Sequence, residues 1–307
     1  MTASPSDAAY CGVLLLDKPL GMSSSAATQR VRHLLGKVKA GHIGSLDPLA
    51  TGMLPICIGE ATKIAGVVLE GRKCYRFSVT LGARTATGDA EGEIVERAAV
   101  PALTLAAIET AMQAFIGVTR QIPPMYSALK QQGQALYKLA RAGITVERAA
   151  RAIKIDRFDC LAMRADPGVG TQLDCRVICG KGSYVRVLAQ DLARSLGSVG
   201  HVSALRREWM QPFDPAEMQT LAQVEAKVAA GQAPVLLSPQ AALPNAPPLR
   251  LSATQAVALA QGQRVGIDPS TAAGLVLALD SHGRMLGLAT SDGAGELLAK
   301  RLFVAPV

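Results

Sequence analysis

An α+β fold, with a largely antiparallel sheet flanked by helices and a small β-rich C-terminal domain, is predicted from three observations. Strand-like and helical patterns mix without the regular βαβ order of a parallel sheet. Apolar residues make up 49% of the 307, enough for a sizeable core. Prolines and small residues from Pro244 to Pro248 interrupt the pattern before a last stretch of short apolar runs. The expected organisation is a polar, disordered tail over 1–10, a main domain over 11–245, and a module over 249–307.

Val13 to Leu16 reads as a short buried strand. Ser23, Ser24 and Ser25 offer N-caps to a helix whose Ala27, Val31, Leu34 and Leu35 share one face, with Gly36 as its stop. Its other face carries Arg30, Arg32 and Lys37. A loop rich in glycine and turn residues, Gly41 to Gly52, leads into the apolar run Met53 to Ile58; Ala61 to Leu69 reads as a helix. In the strand Lys73 to Leu81, Tyr75, Phe77, Val79 and Leu81 point one way, and Cys74, Arg76, Ser78 and Thr80 the other. Leu103 to Ile116 is an amphipathic helix. Pro123 and Pro124 separate it from a basic stretch, Lys130 to Lys154, which reads as a protruding arm over about 125–155. Leu173 to Cys179 is a strand. Gly180 and Gly182 bracket a turn, and Ser183 is expected to cap a helix burying Val185, Leu188, Ala189, Leu192 and Leu196. Beyond the boundary, Ala253 to Ala260 is a helix, Ala272 to Leu279 a buried strand, and His282-Gly283 a hairpin turn.

Composition excludes several classes. The apolar runs Val13–Leu16 and Ala272–Leu279 are too short for a signal segment or a membrane span. The six cysteines form no CxxC pair, and the four histidines no HExxH, so neither a metal site nor a secreted disulfide framework is expected. A reducing cytosol is the expected setting. The net charge of +8 is unevenly spread: basic residues cluster in Lys18–Arg76, Arg120–Arg157 and Arg176–Arg207. Arg120–Arg157 alone holds eight basic side chains against two acidic ones. Clustering of this kind suits a polyanion, because phosphate contacts supply most nucleic-acid affinity. A basic surface of no special purpose is the plainer alternative.

The segment from Gly41 to Gly52 is the most informative. It is neither a P-loop nor a dinucleotide-binding GxGxxG. Asp47 before Pro48 reads on its own as a turn-former or N-cap. A lone acid in a net-positive, glycine-dense loop also suits a catalytic carboxylate.

Several segments together resemble a known family. They are Asp17-Lys18-Pro19 with Gly21-Met22-Ser23-Ser24, Ala40-Gly41-His42, Leu46 through Pro55, and Gly59-Glu60-Ala61-Thr62-Lys63. Further on come Lys73–Phe77, Thr87-Gly88-Asp89 with Glu91-Gly92, Gln121–Lys130, Gly180–Arg186 and Leu205-Arg206-Arg207. The resemblance is to the TruB family of bacterial transfer-RNA pseudouridine-55 synthases, dense over residues 11 to about 210 and looser over a PUA-like tail. It implies a pseudouridine-synthase fold and an isomerisation of uridine in the T-arm loop without cofactor or metal. It implies further that the target base is flipped out, that no protein partner is required, and that the chain acts as a cytoplasmic monomer. Carried over residue by residue, Asp47 is the essential carboxylate, Arg186 its ion-pair partner and Tyr75 the ring that stacks on the target base. His42 is the side chain that fills the vacated space, and Lys18, Tyr184 and Leu205 are pocket residues. Lys130, Lys138, Arg141 and Arg148 are phosphate contacts of the arm. The motif varies at Ser45, and a small insertion is expected around Asp166 to Gly170. Three other readings compete: a guide-RNA-dependent synthase of the box H/ACA kind, a non-catalytic RNA-binding or RNA-folding protein, and a small-molecule nucleosidase.

Overall fold

The structure, a computed structural model, describes residues 10–166 and 170–304. The expected disordered tail, up to residue 9, and the middle of the expected insertion, 167–169, lie outside the described residues.

A nine-stranded sheet forms the frame. Its order is Gln219–Thr220, Gly12–Lys18, Ala50–Ile58, Gly200–Met210, Lys73–Leu81, Gly170–Cys179, Arg151–Asp166 and Gly117–Gln121, with Ala40–His42 paired to the far end of Ala50–Ile58. Only two of its pairings are parallel: Gly12–Lys18 with Gln219–Thr220, and Gly200–Met210 with Ala50–Ile58. The second is short, joining Leu205, Arg206 and Arg207 to Ala50, Thr51 and Gly52. It brings the start of one strand against the middle of another at the centre of the sheet.

Alternation along the central strands divides the core. Tyr75, Phe77, Val79 and Leu81 face a cluster with Ala27 and Val31 of the helix Ser24–Leu34, and with Leu188, Ala189 and Leu192 of the helix Val185–Ser195. The cysteine pair Cys175 and Cys179 lies in this same cluster, both thiols free. On the other face, Val13, Leu15, Met53 and Cys57 pack with Leu277, Leu279, Met285, Leu288 and Phe303 near the C-terminus. Those last residues belong to a five-stranded sheet ordered Pro248–Arg250, Gly274–Leu279, Met285–Ser291, Glu296–Leu302 and Val265–Gly266. The helix Ala253–Ala260 beside it starts in a capping box, Ser252 with Gln255. A polar staple crosses between the two sheets: Lys63 donates to Leu302 O at 2.7 Å, and Val304 N donates to Glu60.

Four local readings change. The helix expected over 61–69 is a 3-10 turn, Gly59–Lys63, followed by a single helical turn, Ala65–Val68. Gly59 at φ +62° and the back-bond from Thr62 Oγ1 to Gly59 O favour the tighter winding there. The apolar run Met53 to Ile58 belongs to a strand that begins earlier, at Ala50, because Ala50, Thr51 and Gly52 are claimed by the neighbouring strand. The helix expected over 103–116 is limited to Leu105–Gln113, with Thr104 as its cap. Arg151 to Lys154, read as part of the arm, open the strand Arg151–Asp166 and pair with Val118 to Gln121. Among the described residues no helix is long and apolar enough to cross a membrane, and no group of three or more His, Cys, Asp or Glu is placed to hold a metal.

Candidate active site

The loop of residues 43–49 carries Asp47 between two paired strands, and almost every polar group around it is tied down. Ser24, in the first turn of its helix, accepts from Leu46 N at 2.7 Å and donates to Leu46 O at 2.9 Å. Ile43 N donates to Pro55 O, Gly21 N to Pro48 O, and Ala50 N to Asp47 O. Lys18 is wholly buried, and its ammonium donates to the carbonyls of Pro19, Met22 and Pro48. The resemblance made Lys18 a pocket residue; here it sews two loops together beneath Asp47. Burial pulls the Lys18 amine down to about 8, against the opposing pull of Asp47. Gly52 sits at φ +97°, and a Cβ there would lie 2.2 Å from Arg207 O, so only glycine fits that approach.

Arg186 comes from the first turn of Val185–Ser195. The expected cap, Ser183, instead donates to Gly180 O at 3.2 Å across the Gly182 turn, and Tyr184 takes the N-cap position without a side-chain bond. Gln121 does the anchoring: its carboxamide accepts from Tyr184 N at 2.8 Å and donates to Tyr184 O at 3.1 Å. Tyr184 therefore fixes the helix start through its main chain. Burial pushes its phenol up.

The two charged groups meet as a fork on a fork. Arg186 Nε lies 2.8 Å from Asp47 Oδ2, and Nη2 lies 3.1 Å from Oδ1. The remaining guanidinium donors reach Thr87 O at 2.8 Å and Tyr126 O at 2.6 Å, and Asp89 stands 3.6 Å from Nε. The arginine side chain is 6% exposed and the Asp47 side chain 39%, so the cation is locked inside while one edge of the carboxylate faces solvent. Burial raises the Asp47 carboxyl above its ordinary 3.8; Arg186 opposes this, Asp89 adds to the rise, and Lys18 opposes it again. The carboxylate is thus set between two opposing influences, burial and its neighbouring cations.

Tyr75 lies on the strand Lys73–Leu81, directly opposite Arg207 on one side and Val177 on the other. Burial pushes its phenol up, and the Arg207 guanidinium pulls partly back. His42 ends the short strand Ala40–His42; Nδ1 lies 3.1 Å from Thr28 Oγ1 and Nε2 3.2 Å from Ser45 Oγ. Burial, then Arg207, lowers its pKa, which favours a neutral ring at neutral pH. Leu205 is buried at the sheet centre, opposite Ala50 and Phe77.

The arm stands apart. Lys130 is in the two-residue strand Lys130–Gln131, paired with Gln134–Ala135, and Lys138 and Arg141 are on the helix Leu136–Arg141. All three are exposed, and among the described residues none forms an ion pair. Arg141 rests 5.7 Å over the Tyr137 ring. Arg148 is half-buried, its Nε without a partner among the described residues.

Two residues of the site were not singled out from sequence. Asp89 is buried, accepts from Thr87 Oγ1 at 2.5 Å and Glu91 N at 3.2 Å, and stands behind Arg186. Its signal was the Thr87-Gly88-Asp89 stretch. Arg207 is 1% exposed and donates to Met53 O and Gly44 O. Its signal was the Leu205-Arg206-Arg207 stretch, and its contacts emerge only from its neighbours in space.

Comparison with known proteins gives a consistent answer. The N-terminal domain of the TruB family of pseudouridylate synthases matches residues 32–185. The C-terminal domain of tRNA pseudouridylate synthase B matches 186–238, and a TruB pseudouridine synthase II C-terminal domain matches 247–303. A tRNA pseudouridine synthase B from Aromatoleum aromaticum is 48% identical over 291 residues, covering 95% of this chain and 92% of that protein. One from Xanthomonas campestris is 45% identical over 294 residues, covering 95% and 94%. Among solved structures, a Cbf5-Nop10-Gar1 complex matches with a TM-score of 0.70 at 22% identity, over 94% of this chain and 84% of that one, a likeness of fold alone. On the family matches and the identity to these relatives, the chain belongs to the TruB family of pseudouridylate synthases.

Proposed function

We infer that the chain converts a uridine in the T-arm loop of transfer RNA, position 55, to pseudouridine. The observation that carries this reading is the forked pair of Asp47 and Arg186, with one carboxylate edge open to solvent. The relatives that are 45–48% identical over 95% of this chain are named tRNA pseudouridine synthase B.

The reaction breaks the N1–C1′ bond, turns the base, forms a C5–C1′ bond, releases the C5 proton and leaves a proton on N1. It asks the protein for an ionised oxygen at the sugar, a surface for the loose base and a way to hold the RNA. Asp47 supplies the oxygen, and Arg186 keeps it ionised because a guanidinium does not lose its charge. Tyr75 supplies the ring on which the loose base stacks. Flipping the base costs a few kcal/mol. His42, fixed between Thr28 and Ser45 at the mouth of the same loop, fills the gap left in the RNA. Lys130, Lys138, Arg141 and Arg148 contact phosphates, and the C-terminal module (249–307) adds a second RNA-binding surface to the catalytic domain (11–245). The chain works in the cytoplasm, as a monomer and without a protein partner or cofactor. A guide-RNA-dependent mode has less support, since the Cbf5 structure shares only 22% identity.

The test is to incubate the purified chain with unmodified tRNA transcripts in EDTA and map pseudouridine by carbodiimide treatment and primer extension. The expected result is one modified T-loop position, with Asp47→Asn at least ~10³-fold slower, as for loss of a group that acts on the reacting atoms, yet still binding RNA. Modification by Asp47→Asn at the wild-type rate, or none by the wild type with binding intact, would overturn the reading.

A further inference from the structure

Arg207 is a buried cation that the reaction described so far leaves unused. It lies on the strand Gly200–Met210, directly opposite Gly52 on one neighbour and Tyr75 on the other. Its side chain therefore shares a face with the Tyr75 ring. The guanidinium donates from Nε to Met53 O at 2.6 Å and from Nη2 to Gly44 O at 2.9 Å. These carbonyls stand on either side of the segment 45–52, so one planar group grips both ends of the loop that carries Asp47. The fit is close: a Cβ on Gly44 would meet Arg207 Nη1 at 3.1 Å.

The electrostatics make this arrangement costly. Among the described residues Arg207 forms no ion pair, although it is only 1% exposed. Two further buried cations lie near enough to feel it, since its charge helps to lower the amines of Lys18 and Lys73, each pulled to about 8 chiefly by burial. Two neutral carbonyls repay only part of the cost of burying a guanidinium without a carboxylate. A purely structural clamp would be made more cheaply by an uncharged side chain. Position and charge together point to a task in the site.

We propose that Arg207 is a positioning residue for the isomerisation, its guanidinium setting the distance between Asp47 and Tyr75 across the target base while its charge faces the Tyr75 phenol. The role rests on the isomerase reading above. Asp47 is reached through the loop ends at Gly44 and Met53, and Tyr75 through the direct cross-strand contact. The reacting sugar and the loose base are thereby held by one rigid group. A shift of about 1 Å between such groups costs ~10²-fold in rate.

The experiment compares full-length wild type, Arg207→Lys and Arg207→Gln on a T-arm stem-loop tritiated at C5 of the target uridine. Single-turnover tritium release gives the rate, filter binding gives RNA affinity, and a melting curve gives folding. Arg207→Lys keeps a buried cation but loses the two-carbonyl span. It is expected to react ~10²-fold more slowly, with RNA affinity and melting midpoint close to wild type. Arg207→Gln is expected to be slower still, and if it fails to fold the lysine variant decides alone. Wild-type rate in Arg207→Lys, or a rate loss matched by an equal loss of RNA affinity, would overturn the positioning role. An inactive wild type would instead sink the isomerase reading and this role with it; an active wild type beside an unimpaired lysine variant would sink the role only.

Discussion

Asp47 and Lys130 both sit in turn-rich sequence, yet their surroundings are opposite. Around Asp47, the chain's own carbonyls, a buried lysine, two arginines and a serine leave almost no polar group free. Around Lys130 there is a two-residue hairpin, one short helix and exposed cations without ion pairs among the described residues. The first region has already met the cost of order; the second leaves it to be met on binding. Chemistry at a sugar carbon needs atoms fixed to fractions of an ångström, whereas a phosphate backbone is gripped by long charges that adapt to it. The difference separates rate from affinity.

The sharpest way to break that separation is at Arg186. Replacing it by glutamine removes the fork and leaves Asp47 and Asp89 facing each other without their cation. We expect a rate loss of 10²-fold or more, measured by single-turnover release from tritiated RNA, as for other groups that stabilise charge at a reacting centre. Stability should fall by about 3 kcal/mol in urea titration, the low end for a broken buried pair because Asp47 keeps one edge in water.

A second, smaller effect concerns pH. The role proposed for Asp47 requires its ionised form, and burial raises its carboxyl above the ordinary 3.8 despite Arg186. Activity is therefore present above the raised value and lost as pH falls through it. The acid limb of the single-turnover profile should thus lie above 3.8, and in Arg186→Gln it should move higher still. A limb at or below 3.8 would mean that the ion pair outweighs burial at this site.

The smallest effect on the site should come from the arm. Replacing Lys130, Lys138 and Arg141 by alanine should weaken RNA binding and flatten its salt dependence by roughly 0.7–0.9 per lost phosphate contact. Rate at saturating RNA should hold, and stability should change by no more than about 0.5 kcal/mol per substitution. A slower saturated rate in that triple variant would show that the arm also takes part in ordering the site.

Much of this was legible from local pattern. The strand Lys73–Leu81 and the helix Ala253–Ala260 appear with the bounds read from sequence, because each carries a full period of apolar residues between clear stop signals. The helix Ser24–Leu34 begins at its Ser23 cap and ends before Gly36, at φ +76°. Two readings slipped because a partner distant in sequence intervened. Ala50 to Gly52 became strand because Leu205 to Arg207 pair with them, and Ser183 lost its capping role because Gln121 holds the helix start. The Asp47 loop was found from sequence through its composition and its likeness to a family, and Arg186 through the likeness alone.

The periodicities, the caps, the clustered basic charge and the motif around Asp47 are properties of neighbours along the chain and can be read from residue order. Folding in three dimensions is what closes Arg186 on Asp47 across 139 positions, with Asp89 behind it, and lets Arg207 grip Gly44 and Met53 from 163 and 154 positions away. Such pairings leave no local trace. An arginine in a helix's first turn and another in a strand look ordinary until folding removes the water that would otherwise have satisfied them. Burial turns their choice of partner into a matter of several kcal/mol.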